Sequence, residues 1–315
     1  MQNNPEFLPH PAQRLSSYRA TLCCPACHGA LANESQILRC VSCNIQYPIV
    51  NGCPVLMTEE NRREFDLFLE TDDGRRMVQE YAEPIKANDQ CKSPWWIRLL
   101  RPPSIMHRFN TDLLRPPTAA LFKRSGKQPL VLNVGGGPYR VTDHEITLNI
   151  RPFHNVDLVG DAHNLPIEDN SFDSVLSLAV LEHVTDPYKV VAEMIRVLKP
   201  GGYLYSEVPF IFFFHGYPTD YTRFTQEGMK RLFAGLEHME IGMTHGPVSA
   251  LLQSGNMVLQ MLMPERPRAL RKLVNGAYRW LFFPLKYLDI VLRKHPEAHI
   301  LAGGFYVFGR KPDGN

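Results

Sequence analysis

Several common chemistries have no foothold in this chain of 315 residues. It has no G-x-x-x-x-G-K-S/T run, which argues against P-loop phosphate chemistry. It has no G-x-G-x-x-G followed by an acid about 20 residues on, since Arg140 stands where the third glycine would fall, and this sets aside dinucleotide-dependent hydride transfer. Cysteine is scarce, with seven in all. No signal peptide is evident, so a reducing cytoplasm is expected. The most apolar late stretch, 276–293, is interrupted by Arg279, Pro284, Lys286 and Asp289 and is too charged to span a bilayer.

Net charge is also small, at +2, but that figure conceals a segregation. Residues 86–127 carry nine Lys/Arg against Asp89 and Asp112, and residues 265–294 carry eight against Glu265 and Asp289. A length of 315 residues with 44% hydrophobic content suits one α/β domain plus smaller modules.

The densest information lies between Leu130 and Gly202. Val131, Leu132 and Val134 read as a short buried strand, and Gly135 to Gly137 then allow a sharp turn and close approach of a ligand to the backbone. G-D-A-H-N-L-P follows at 160–166, S-F-D-S-V-L-S-L-A-V-L-E-H-V at 171–184, and a helix closed by L-K-P-G-G at 198–202. Ligands of open α/β sheets sit at the carboxyl edge of such strands.

In this order the motifs resemble class I S-adenosylmethionine-dependent methyltransferases, the type 11 group in particular. The resemblance implies a Rossmann-like α/β fold with a seven-stranded methyltransferase sheet. It implies cofactor contacts from Asn133, Gly135, Gly137, Asn149, Asp161, Ala162, Glu182 and His183. Asn133 stands where the family usually has an acid, Tyr139 replaces the third glycine, and Asn149 takes the ribose position. An amide there forgoes the charge-assisted bond of a carboxylate. The seven residues between Asn149 and Asp157 are too few for the usual crossover helix.

Upstream, Cys24, Cys27, Cys40 and Cys43 form C-x2-C-x12-C-x2-C, the spacing of two knuckles that close four thiolates around a structural Zn²⁺. A redox C-x-x-C is the rival reading. With the sequel Y-P-I-V-N-G-C-P-V-L (47–56), residues 21–57 resemble the small zinc-ribbon activator proteins of methyltransferases. Cys23, Cys53 and Cys91 remain as small apolar residues.

The expected organisation is a flexible N-terminus (1–20), the ribbon (21–57), a helix and basic Pro-rich linker (58–127), the methyltransferase core (128–263), and a basic aromatic helical extension with a final strand (264–315). Thr58 is placed to cap a helix running to about Ala82. The loop 212–225 holds His215, Asp220, Tyr221 and Arg223; His215 is the base candidate and Asp220 its orienting partner, against the alternative of a loop-stabilising Asp220–Arg223 pair.

The acceptor is open at this stage. A small-molecule, saccharide or lipid-linked acceptor at the membrane surface suits the aromatic, basic 264–315 segment, which would make the protein peripheral to the inner face of the membrane. The same segment equally suits a helix packed on the core or on a second copy. An RNA acceptor suits Trp95 and Trp96 in the basic linker, but N/D-P-P-Y/F after the fourth strand and a cysteine beside the fifth are both absent. The departures at Asn133, Tyr139 and Asn149 also leave room for a non-catalytic partner protein.

Overall fold

Val131, Leu132, Asn133 and Val134 are all buried, as a strand covered on both faces requires, and they lie in the middle of a long sheet. The computed structural model describes residues 15–16, 18–34, 36–50, 52–72, 101–109, 129–137, 140, 145–151, 156–216, 219–265 and 267–314. Most of residues 1–20 and of the 58–127 linker, including Trp95, Trp96 and Cys91, lies outside these, as does Tyr139.

The strands are β1 (Leu31–Glu34), β2 (Ile37–Cys40), β3 (Gln46–Val50), β4 (Cys53–Leu56), β5 (Val131–Val134), β6 (Glu145–Asn149), β7 (Leu158–Gly160), β8 (Phe172–Leu178), β9 (Leu198–Pro209), β10 (Glu237–His245) and β11 (Gly304–Arg310). Their spatial order is β1-β2-β3-β4-β7-β6-β5-β8-β9-β11-β10. Strands β4 to β9 in that order pair in parallel, and β11 inserts antiparallel between β9 and β10. The seven expected strands are β5 to β11. The sheet does not stop there, because β4 pairs in parallel with β7 (Val55 opposite Val159, Leu56 opposite Gly160) and carries the ribbon's antiparallel strands onto the same edge.

Between β6 and β7 lie only residues 150–157, and those described contain no helix. Beneath the glycine turn this stretch organises a buried polar cluster. Asp157 accepts from Arg140 and from the Thr147 amide, each at 2.8 Å, while Glu145 accepts from Asn133 at 2.8 Å. The Tyr18 hydroxyl donates to the Asp157 carbonyl at 2.6 Å, tying the segment before the ribbon to the core.

Helix α1 (Glu59–Glu70) follows β4, with Glu59 and Glu60 in its first turn where the helix dipole favours them. The continuation expected to Ala82 falls outside the described residues beyond 72. Helix α2 (Pro187–Val197) starts on the Asp186 cap, which accepts from the Lys189 amide, and buries Val190, Val191, Met194 and Val197 on one face. Helix α3 (Gln226–Leu232) starts on Thr225, whose hydroxyl accepts from the Gly228 amide.

The C-terminal extension is partly packed and partly bare. Asp289 is fully buried and caps α4 (Pro247–Met261), accepting from the amides of Val248 and Ser249 and from the Ser249 hydroxyl. Arg279 and Lys286 donate to the carbonyls of Pro103 and Ser104, so part of the basic linker lies along this segment. Yet α5 (Arg268–Phe282) has no buried residue, and Leu273, Trp280, Leu281 and Val291 are exposed. No described helix is long and apolar enough to cross a membrane.

Candidate active site and metal centre

The ribbon cysteines converge on one point. Each C-x-x-C pair turns back through a hydrogen bond four residues on, His28 amide to Cys24 carbonyl and Asn44 amide to Cys40 carbonyl, and His28 and Asn44 both take left-handed φ (55° and 64°). The Sγ atoms lie 3.6 Å apart for Cys24 and Cys43 and 3.5 Å apart for Cys27 and Cys40, and all four fall within 4.8 Å of one another. Thiolates about 2.3 Å from a tetrahedral zinc stand roughly 3.8 Å apart, so the donor set and spacing fit Zn²⁺ with no open position. Burial pushes the Cys40 thiol up, but the amides of Cys43 and Ser42 more than offset it, bringing it down to about 6. Cys23 and Cys53 are buried, consistent with small apolar residues.

The expected cofactor residues gather at the carboxyl ends of β5, β6 and β7. Gly135 sits at φ +74°, and a Cβ there would lie 2.3 Å from a Val180 methyl carbon. Gly136 packs against Thr147 and Asn133, whereas a Cβ on Gly137 would meet nothing within 4 Å, so this is the turn's open side. Asn149 turns inward from the end of β6: its amide donates to the Gly136 carbonyl at 2.9 Å and its carbonyl accepts from the Arg151 amide at 3.0 Å. It therefore holds the shape of the turn. Asn133 lies below, buried against Glu145, and supports the turn from inside the sheet.

Asp161, just past β7, accepts from the amide of His163 at 2.9 Å and from its ring at 2.7 Å, and from the Asn61 side chain at 2.5 Å. Burial opposes its ionisation, but the His163 and Asn61 bonds outweigh that and hold it below the usual carboxylate range. An ionised carboxylate at the end of β7 and an open glycine turn at the end of β5, with β6 between them on one sheet edge, fit a nucleoside-bearing cationic cofactor. Asn61 is a participant that sequence reading missed. It comes from α1, about a hundred residues upstream, and only the junction of ribbon and sheet brings it here.

At the carboxyl end of β8 a second group forms. Glu182 and His183 belong to a short helical turn (Leu181–His183), and the loop after β9 folds back over it through the Tyr221 amide, which donates to the Glu182 carbonyl at 2.7 Å. This brings His215 Nε2 to 3.4 Å and His183 Nε2 to 3.7 Å from the same Glu182 oxygen. The two imidazoles meet edge-on, with centroids 5.0 Å apart. Glu182 is fully buried, and burial pushes its carboxyl up to about 7. Asp220 pairs with Arg223, accepts from the His215 amide at 3.0 Å and has its Oδ2 3.5 Å from His215 Nδ1; the Arg223 bond chiefly holds it down to about 2. In this arrangement it fixes the loop that presents His215.

A mixed sheet of this order, parallel from β4 to β9 and antiparallel at β11 and β10, with a glycine turn and a strand-end acid at its carboxyl edge, has the α/β methyltransferase arrangement, here extended by a thiolate ribbon. Residues 139–206 match the methyltransferase domain family, and residues 20–52 match the Trm112p-like protein family. The chain thus carries a methyltransferase domain and a Trm112-like ribbon in one polypeptide. It is 56% identical over 43 residues to norajmaline N-methyltransferase of Rauvolfia serpentina, covering 14% of this chain and 15% of that protein. It is 53% identical over 47 residues to demethylmenaquinone methyltransferase of Renibacterium salmoninarum, covering 15% and 20%. The match thus spans a fifth or less of those curated relatives. Among solved structures, the complex of the Haloferax volcanii Trm112 methyltransferase activator with a putative methyltransferase aligns with 21% identity and a TM-score of 0.36, over 59% of this chain and 83% of that one.

Proposed function

We propose that the protein transfers a methyl group from S-adenosylmethionine to a small-molecule or lipid-linked acceptor presented at a membrane surface. The observation that carries the donor half is the open Gly137 side of the turn after β5 together with an Asp161 carboxylate, held ionised, on the same sheet edge after β7. A sulfonium is an activated donor, so what is required of the chain is to align acceptor and methyl carbon and to exclude water. Asp161 and the turn would hold the nucleoside; the loop 212–225 would hold the acceptor against Glu182, His183 and His215.

Calorimetric titration of the zinc-loaded protein with S-adenosylmethionine tests this. One-to-one binding is expected, weakened about 30- to 150-fold in Asp161→Ala, the equivalent of a charge-assisted hydrogen bond of about 2–3 kcal/mol. Saturable binding indifferent to that substitution would defeat the assignment of Asp161, and no binding by the folded protein would favour a non-catalytic partner.

The membrane half rests on the bare face of α5 and the residues after it. Leu273 is 69% exposed, Trp280 46% and Leu281 71%, and they lie among Arg268, Arg271, Lys272 and Arg279. An apolar face ringed by cations suits the headgroup boundary of an anionic bilayer. Co-sedimentation with vesicles containing phosphatidylglycerol should fall at least fivefold in Trp280→Ala/Leu281→Ala, each substitution removing roughly 2 kcal/mol of apolar burial. Unchanged sedimentation together with salt-dependent RNA affinity would move the acceptor to RNA.

A further inference from the structure

We infer that Glu182, His183 and His215 form a second metal site, distinct from the ribbon, that takes one divalent first-row transition cation at the carboxyl end of β8. The inference extends the methyltransferase reading by placing a Lewis acid on the acceptor side of the site.

The three side chains face one another without satisfying one another. Both carboxylate oxygens of Glu182 are buried and accept no hydrogen bond from any described residue, although two imidazole nitrogens lie within 3.7 Å of one of them. A buried carboxylate with both oxygens unpaired is costly unless a cation compensates it. The imidazole tautomers follow from their outer nitrogens. His183 Nδ1 lies against the Thr219 carbonyl and His215 Nδ1 against the Phe213 carbonyl at 3.3 Å. A carbonyl can only accept, so each Nδ1 carries the hydrogen, and each Nε2 turns its remaining position toward Glu182. That is how protein metal sites orient their histidines, with the distal N–H anchored to a backbone carbonyl and the other nitrogen presented to the ion.

One ligand atom from each residue lies within 4.8 Å of the other two. Ligands about 2.0–2.2 Å from a common ion stand about 3–3.5 Å apart, so small side-chain rotations close the shell. Two histidines and one carboxylate suit zinc, iron(II) or manganese(II), and three protein ligands leave coordination positions for water or an acceptor oxygen. A hydroxyl oxygen bound there would release its proton to solvent water more readily at neutral pH, without a free imidazole as base. The substrate class this favours is an oxygen-bearing acceptor such as a phenol or enol.

The test is metal content of the full-length protein after loading with Zn²⁺ and dialysis against metal-free buffer. Two equivalents per chain are expected in the wild type, and one in Glu182→Gln and in His215→Ala. Cys24→Ser should lose the other equivalent, leaving the Glu182 site filled. A thermal melt of each variant checks folding, and Glu182→Gln in particular removes a buried charge rather than adding one. A single equivalent in the wild type, with no further binding of Zn²⁺, Mn²⁺ or Fe²⁺ by calorimetry, overturns the inference. Donor binding is titrated separately on the same samples: S-adenosylmethionine binding with one metal sinks only the second site, whereas two metals without donor binding sink only the methyltransferase reading.

Discussion

Cys24→Ser should release the ribbon zinc and weaken S-adenosylmethionine binding about tenfold or more, although Cys24 lies in the ribbon and not at the glycine turn. The ribbon has too little apolar surface to fold by itself, and structural zinc supplies on the order of 10 kcal/mol to comparable peptides. Without the metal, β1 to β3 lose their closure, and β4 loses the hairpin that holds it against β7. Helix α1 begins three residues after β4 and carries Asn61, whose amide binds Asp161. Freeing Asn61 removes one of the bonds that keep Asp161 ionised and aimed, and a hydrogen bond to a charged group contributes about 1.5–3 kcal/mol. Hydrogen exchange should show lost protection in peptides spanning 53–56 and 156–161 along with the weaker binding. Full protection and unchanged donor affinity in zinc-free protein would mean that the ribbon and the donor site are energetically independent.

Gly135→Ala should be the most damaging single substitution near the donor site, at roughly 2–4 kcal/mol of stability. Two costs combine. Left-handed φ (+74° here) costs a non-glycine residue about 1–2 kcal/mol, and the added Cβ would sit 2.3 Å from a Val180 methyl carbon. They can be separated, because Val180→Ala in the same chain relieves the collision but not the backbone strain. Urea unfolding of the two single variants and the double variant should therefore show partial rescue. Complete rescue would mean that the turn tolerates alanine, and that glycine is needed only for its missing Cβ. At Gly137, where a Cβ meets open space, alanine should leave stability nearly unchanged and act on donor binding.

What was legible in the sequence is what local chemistry dictates. The buried strand before the glycines, the acid in G-D-A-H-N-L-P and the paired C-x-x-C knuckles each depend on residues within a few positions, and each occurs where the pattern suggests. What was not legible depends on contacts between distant segments. Asn61 lies in an exposed, charged helix with no marker of a functional role, and its partner is set by the pairing of β4 with β7. Glu182, His183 and His215 stand out individually, but their sharing of one oxygen depends on the loop after β9 folding back onto the turn after β8. Asn149 reads as a ribose ligand by position, yet in space its amide is bonded to the glycine turn itself. The aromatic extension reads equally as packed or as free, and it is both: Asp289 is buried in the cap of α4, while one face of α5 lies bare.

The parallel pairing of β4 with β7 also bears on behaviour at low concentration. An open sheet edge is an invitation to strand addition by another chain, and here β7 is occupied by a strand of its own polypeptide. Because the partner strand is tethered, its local concentration does not fall when the protein is diluted, and no second polypeptide has to be made in matching amounts. The edge that remains on that side is β1, four residues long and mostly exposed, with Glu34 paired to Arg39 at 3.0 Å. A strand so short and polar offers little to a foreign chain, so the ribbon both fills the sheet's vulnerable margin and leaves a poor template in its place.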